Sequence, residues 1–111
     1  MSSAIDALTT EYSRLAKEHM VFKEEGDYKR ANSVHARMSK ISREILSGGS
    51  EGEKALSGLL DSEEPSVRAW AATDYYSVDP ARSKRVLEQL AKEGGLVGLE
   101  AGLVLDLHFK P

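Results

Sequence analysis

The sequence predicts an all-α protein of about six helices that stack as helical hairpins in a single domain, residues 1–111. Three observations support this prediction. Apolar residues recur at spacings of three and four over long stretches, which is the pattern of one helix face. No segment alternates between apolar and polar residues as a half-buried strand does. The stretch at residues 59–72 also echoes about thirty residues later, at residues 90–102, and that period is typical of stacked helical repeats.

Two long helices are predicted within residues 1–47. One apolar stripe contains Ile5, Leu8, Tyr12, Leu15, His19 and Phe22, and the other contains Ala31, Val34, His35, Met38, Ile41 and Ile45. Because only residues 24–27 separate the two stripes, we expect the helices to fold back as an antiparallel hairpin. Gly26 suits a left-handed end of the first helix, and Asp27 suits the N-cap of the second.

Four shorter helices are predicted within residues 50–111, after a break at the Ser-Gly-Gly-Ser sequence of residues 47–50. Pro65 and Asp79-Pro80 each suit the first turn of a helix, where the missing proline N–H costs nothing. Gly94-Gly95 is expected to end the fifth helix. These breaks divide residues 50–111 into two further hairpins.

The third helix is expected to begin with a capping box, because Ser50 and Glu53 have its spacing. The core-facing residues predicted for these four helices are Ala55, Leu56, Leu59 and Leu60, then Val67, Trp70, Ala71 and Tyr75, then Val86, Leu87 and Leu90, and finally Leu99, Leu103 and Leu107.

The internal repeat has a physical interpretation. A shift of thirty residues superposes Leu60 on Leu90 and Val67 on Val97, and it aligns small residues with one another. Leucines would fill the space between hairpins, while small residues would let neighbouring helices approach closely. The small residues expected to do so are Ala71, Ala72, Ala101 and Gly102. Since neither hairpin could bury its apolar stripe alone, we expect the hairpins to stack.

The segment Leu59-Leu60-Asp61, followed by Pro65, by Val67-Arg68 and by Ala71-Ala72, resembles a HEAT-type repeat. The match is good over this unit and weaker over the next, where Gly98 replaces the arginine. The whole chain also resembles a family of small bacterial HEAT-like proteins of unknown function, some of which are proposed as immunity proteins of toxin systems. The resemblance implies a right-handed helical stack, pairing of Asp61 with Arg68 across the hairpin turn, and binding of a protein partner.

Composition narrows the choice of partner. The chain has no cysteine, which fits a reducing compartment, and it shows no signal peptide or membrane-spanning run, so we expect a cytoplasmic protein. Residues 1–48 carry eight Lys/Arg against seven Asp/Glu, whereas residues 49–111 carry seven against eleven. An acidic surface argues against binding to nucleic acid and favours a basic protein partner. A monomer and a homodimer both remain open.

The sequence predicts a non-enzymatic protein-interaction module, with immunity against a bacterial toxin as its most concrete form. No glycine-rich phosphate loop or other catalytic motif is present. The predicted partner-binding face contains an arginine and an exposed tyrosine, which are common in binding hot spots, beside small residues and an acidic turn. Its residues are Arg68, Ala69, Ala72, Tyr76, Glu63 and Glu64.

Asp74 is placed on the predicted core-facing side of the fourth helix, where the repeat usually has a small or apolar residue. A buried carboxylate must find a partner, and His19, His35 or a backbone group are the expected ones. The cluster of His19, His35 and Asp74 would then fix how the hairpins dock. The alternative function is a small-ligand or metal sensor that uses this cluster as the polar end of an apolar pocket. No ligand-spacing motif supports a metal site or a cofactor, and His108 is expected to be exposed.

Overall fold

The computed structural model describes residues 4–109, and this part of the chain contains helices and connecting turns but no strand. The predicted all-α fold class is confirmed. The helices are α1 (Ala4–Glu24), α2 (Tyr28–Leu46), α3 (Ser50–Leu59), α4 (Pro65–Tyr75), α5 (Pro80–Glu93) and α6 (Gly95–His108).

Most helix boundaries follow from the residues predicted to set them. Gly26 has φ 76° and closes α1. The side chain of Asp27 accepts a hydrogen bond from the Arg30 N–H and caps α2, and Asp79 caps α5 in the same way through the Arg82 N–H. The predicted capping box is wrong, because Ser50 is already the first residue of α3 and Gly49 occupies the N-cap.

The six helices form a stack of three hairpins. The most extensive packing joins α1 to α2 and α5 to α6, and α4 lies between α5 and the first hairpin. A continuous core runs through the stack, and its largest fully buried apolar side chains are Tyr12, Leu15, Met38, Ile45, Leu56, Val67, Leu87 and Leu90. None of the described helices is both long and apolar enough to cross a membrane.

Two glycines allow neighbouring helices to approach closely, and neither of them is Gly102, the glycine that was predicted to do so. A Cβ atom added to Gly98 would lie 2.8 Å from the Leu90 carbonyl oxygen, and one added to Gly52 would lie 1.7 Å from that of Ile45. Gly102 has open space around it instead. The expectation that Gly102 brings α6 close to its neighbour is therefore wrong, and Gly98 has that role.

The orientation of α6 also differs from the prediction. Leu99, Leu103 and Leu107 are 63%, 56% and 78% exposed, so this leucine stripe faces away from the core. Gly98 and Ala101 are the buried residues of α6. Nearly every side of this helix is apolar, so residue spacing alone does not show which side packs inward. Small residues take the inner side because α6 lies close to α5.

Candidate functional site

Asp74 is held by Tyr12, a partner that the sequence did not indicate. The Tyr12 hydroxyl donates a hydrogen bond of 2.5 Å to Asp74 Oδ2 and so joins α1 to α4. Tyr12 is fully buried and Asp74 is partly buried. Tyr12 therefore donates the hydrogen bond that was expected from a histidine or a backbone group, and His35 interacts with Asp74 only electrostatically. Tyr12 lies on the predicted apolar stripe of α1, and its hydroxyl was the one signal that it also needed a polar partner.

Burial shapes the electrostatics of this pair. Burial raises the pKa of Asp74 above its usual value, and the Tyr12 hydrogen bond, His35 and Ser42 oppose this rise in the pKa. The pKa of Tyr12 is raised well above its usual value by burial and by the Asp74 carboxylate. The tyrosine therefore stays protonated and remains a donor to Asp74 across the physiological range.

The two histidines of the predicted cluster pack against Trp70, and neither of them forms a hydrogen bond with the Asp74 carboxylate. The ring of Trp70 lies 5.1 Å from that of His19 in a T-shaped arrangement and 5.2 Å from that of His35. The two imidazole rings are 6.4 Å apart. His19 is buried, whereas His35 is exposed. The predicted cluster is thus divided into a hydrogen-bonded pair, Tyr12–Asp74, and a group of three rings, His19–His35–Trp70.

The three rings line a cleft of about 310 Å³ between the first hairpin and the α4 and α6 helices. Its opposite wall is apolar and comes mainly from α6, through Val97, Ala101 and Val104. Lys23 and Glu100 also line the cleft, and their side chains form an ion pair of 2.6 Å. Nothing in the spacing of Lys23 and Glu100, 77 residues apart, indicated this pairing. The further lining residues are Met20, Tyr28, Ala31, Asn32, Ser66, Ala69, Thr73 and Leu87.

The His19 imidazole, in the wall of this cleft, has a ring nitrogen that lacks a hydrogen-bond partner. The residue is only 9% exposed, and its buried Nδ1 atom has no hydrogen-bond partner among the described residues. Burial lowers the pKa of the imidazole, so His19 is neutral at neutral pH. A buried polar atom without a partner costs about 1–3 kcal/mol. Such an atom in a cleft wall is a feature of a binding site as well as of an imperfect core.

The predicted partner-binding residues of α4 do not share one exposed face. Ala72 is fully buried, so its predicted contact with a partner is wrong. Ala69 is partly buried in the cleft wall. Arg68 is partly buried and donates two hydrogen bonds, of 3.3 and 3.4 Å, to the Glu93 carboxylate. These three residues of α4 therefore point in different directions: into the core, into the cleft and toward α5.

The remaining predicted residues are exposed at opposite ends of α4. Glu63 and Glu64 lie in the turn before it. Tyr76 follows it, is 37% exposed and packs against His108 and Phe109 at the end of α6. His108 is exposed, as expected. The acidic turn and the tyrosine thus mark the two ends of the α4–α6 pair.

Asp61 and Arg68 do not pair with each other, although the resemblance to a HEAT-type repeat implied it. Asp61 accepts a hydrogen bond of 3.2 Å from Arg82 of α5, and Arg82 also donates to the Ser57 hydroxyl. Arg68 instead reaches Glu93 at the other end of α5. Both residues therefore tie the α3–α4 hairpin to the next hairpin rather than closing their own turn.

The exposed leucines of α6 form a second candidate surface, which we call the leucine face: Leu99, Leu103 and Leu107. A shallow groove runs along it between α5 and α6, with Lys84 and Glu88 on the α5 side. The same spacing of four residues that predicted a core stripe produces this face. Its exposure follows from the inward packing of Gly98 and Ala101 on the other side of the helix.

The described residues contain no group of three or more His, Asp or Glu side chains arranged to hold a metal ion. His19 and His35 are near each other, but the Asp74 carboxylate is engaged by Tyr12. The chemistry that the cleft offers is thus ring packing and hydrogen bonding to a neutral imidazole.

Comparison with known proteins identifies the fold. No protein-family model matches the chain, and no curated protein matches it. The fold is similar to the crystal structure of the protein RPA1889 from Rhodopseudomonas palustris CGA009, with a TM-score of 0.86 and 23% sequence identity. The alignment covers 99% of this chain and 95% of that one. This chain therefore shares the all-α fold of RPA1889 over nearly its whole length.

Proposed function

We propose that this chain is a non-enzymatic protein-interaction module that binds its partner through the leucine face of α6. The observation that carries the proposal is the exposure of Leu99, Leu103 and Leu107 on α6, each of which is more than half accessible. Isolated exposed leucines are common on protein surfaces, but a row of three on adjacent turns of one helix is the pattern of a docking surface.

The packing of α6 supports the same proposal. Gly98 and Ala101 are buried on its inner side, so the leucines point outward, and Phe109 borders the groove that runs along Leu99 and Leu103. Burial of the leucine side chains against a partner would contribute on the order of 1.5–3 kcal/mol for each one fully covered.

Charge indicates the chemistry of the partner. Residues 95–109 contain no Lys or Arg, and residues 49–111 as a whole carry an excess of acidic groups. Within α6, Glu100 is paired with Lys23 in the cleft. The exposed Glu63 and Glu64 lie in the turn before α4. A partner with an apolar strip bordered by basic residues would complement this surface and be captured faster at low salt.

A basic bacterial toxin is the most concrete partner of this kind. The support for it is the resemblance of the chain to small HEAT-like proteins that are proposed as immunity proteins, together with the acidic excess of residues 49–111. In this proposal the chain acts by covering a basic functional surface of the toxin, and it needs no catalytic residue.

Site-specific photo-cross-linking in the native host tests the proposal. A photoreactive amino acid replaces Leu103 in one variant and Val21 in the other. Val21 is a matched control, because it is 52% exposed on α1 and lies outside the leucine face. We expect a discrete cross-linked species from position 103 and none from position 21, with a partner of basic composition identified by mass spectrometry.

Three results would contradict the proposal. Position 103 could yield no cross-linked species above the mass of the chain itself. It could yield the same set of species as position 21, which would indicate random contact. A product with the mass of two copies of the chain would show that the leucine face is a dimer contact instead.

A further inference from the structure

We propose that the cleft between the first hairpin and the α4 and α6 helices binds a small, uncharged, planar aromatic molecule whose hydroxyl or N–H group donates a hydrogen bond to His19. This site is separate from the leucine face. The cleft is lined by Val97, Ala101 and Val104 of α6, which lie on the opposite side of that helix from Leu99 and Leu103.

The dimensions of the cleft set the size of the ligand. Its volume of about 310 Å³ is at the lower end of the range for small-molecule sites, about 300–1,000 Å³. A molecule of one ring, or of two fused rings, fits such a volume. A longer cofactor would extend into solvent.

The walls of the cleft favour a flat apolar ligand. Trp70 and His35 present ring surfaces on one side, and their centroids are 5.2 Å apart. Val97 and Val104 lie in the wall that α6 contributes. Aromatic rings pack favourably edge-to-face or offset-stacked against other rings, beyond the area that they bury. A planar ligand would therefore gain from the ring group on one side and from aliphatic contacts on the other.

The polar groups of the cleft indicate that the ligand carries a hydrogen-bond donor. They also indicate that the ligand has no charge. His19 lines the cleft and is more than nine-tenths buried, and its ring makes no hydrogen bond among the described residues, so a donor on the ligand would give the imidazole the partner that it lacks. Burial lowers the pKa of His19, which keeps the ring neutral and able to accept. Lys23 is already paired with Glu100 at 2.6 Å, so the cleft offers no unpaired charge to an ionised ligand.

The experiment uses Trp70, the single tryptophan of the chain, as a reporter in the wall of the cleft. Its indole N–H gives one NMR resonance, which is followed while phenol, toluene or benzoate is titrated into the purified protein. Phenol and toluene share a ring and differ in the donor, whereas benzoate adds a charge. The variant His19→Phe keeps a ring and removes its nitrogen atoms. His108→Phe is the matched control, because His108 is exposed and outside the cleft.

We expect phenol to shift the Trp70 resonance saturably, with about tenfold higher affinity than toluene, which corresponds to one hydrogen bond. Benzoate should bind more weakly than phenol. His19→Phe should lower the affinity for phenol to that for toluene, and His108→Phe should leave the affinity for phenol unchanged. If phenol and toluene bind equally, or if His19→Phe retains the preference for phenol, the role of His19 is refuted.

A second variant keeps the test decisive if His19→Phe does not fold. Ala69→Leu enlarges a partly buried side chain in the cleft wall without touching the histidine. We expect it to abolish the phenol-induced shift. Retention of phenol binding by Ala69→Leu, or no saturable shift of the Trp70 resonance with any of the three probes, would refute the site itself.

Discussion

The hydrogen bond of 2.5 Å from the Tyr12 hydroxyl to Asp74 Oδ2 links the amino-terminal hairpin to the repeat-like part of the chain. Its two residues are 62 positions apart in sequence. The bond explains how α4 tolerates a carboxylate where a HEAT-type repeat usually has a small or apolar residue. It also fixes the relative position of α1 and α4, whose side chains His19 and Trp70 contact each other in the cleft.

Tyr12→Phe should destabilise the protein by about 1–3 kcal/mol, because the Asp74 carboxylate would lose its donor while it remains partly buried. The free energy of unfolding in denaturant measures this change. Tyr28→Phe is the control, since Tyr28 is 61% exposed; it should change the unfolding free energy by less than about 0.5 kcal/mol. A Tyr12→Phe protein as stable as the parent would show that the bond contributes nothing.

The Asp74 carboxyl should make stability depend on pH in a definite direction. Its pKa in the folded protein lies above the usual 3.8, chiefly because of burial. Between these two pKa values the folded state holds more protons than the unfolded state, so the unfolding free energy falls as the pH rises through that window. The Asp74→Asn variant lacks this titration. The difference in unfolding free energy between parent and variant should therefore change with pH there, and a constant difference would contradict the raised pKa.

Two glycines of α6 should respond to alanine in opposite ways. Gly98→Ala should destabilise the protein, because the new Cβ would lie 2.8 Å from the Leu90 carbonyl oxygen and push α6 away from α5. Gly102→Ala should stabilise it by up to about 1 kcal/mol, since alanine is the better helix former and the space there is open. Thermal unfolding of both variants checks this prediction. Equal effects of the two substitutions would mean that α5 and α6 are not closely packed at Gly98.

Replacement of an exposed leucine should cost little stability in the isolated protein. Leu103→Ser should lower the free energy of unfolding by less than about 1 kcal/mol, because Leu103 is 56% exposed and leaves no cavity. Leu56→Ala, at a fully buried position, should cost about 2–5 kcal/mol. Comparable losses for the two variants would show that Leu103 belongs to the core and that the leucine face does not exist.

Local signals predicted most of the fold. Asp27, Pro65, Asp79 and Gly94 mark helix ends through their own backbone chemistry, so the sequence locates them without knowledge of the tertiary structure. The orientation of α6 was not predictable in this way. Its apolar residues surround the helix, and only the close approach at Gly98 determines which side faces the core.

The candidate sites were predicted less well, because they depend on contacts between distant segments. His19, His35 and Asp74 were selected as polar residues on apolar stripes, and the structure places the two histidines beside Trp70 and Asp74 beside Tyr12. Helix spacing indicates which side of its own helix a residue occupies. It does not indicate which residue of another helix lies opposite.

The central claim, that the leucine face binds a protein, is tested most directly by the affinity for the partner that cross-linking identifies. Calorimetry should show that the double variant Leu99→Ser/Leu103→Ser binds it at least about a hundredfold more weakly than the parent, as expected when two leucines no longer bury apolar surface. Val21→Ser, an exposed apolar position on α1, should bind as the parent does. An unchanged affinity of the double variant, with its fold intact, would contradict the claim.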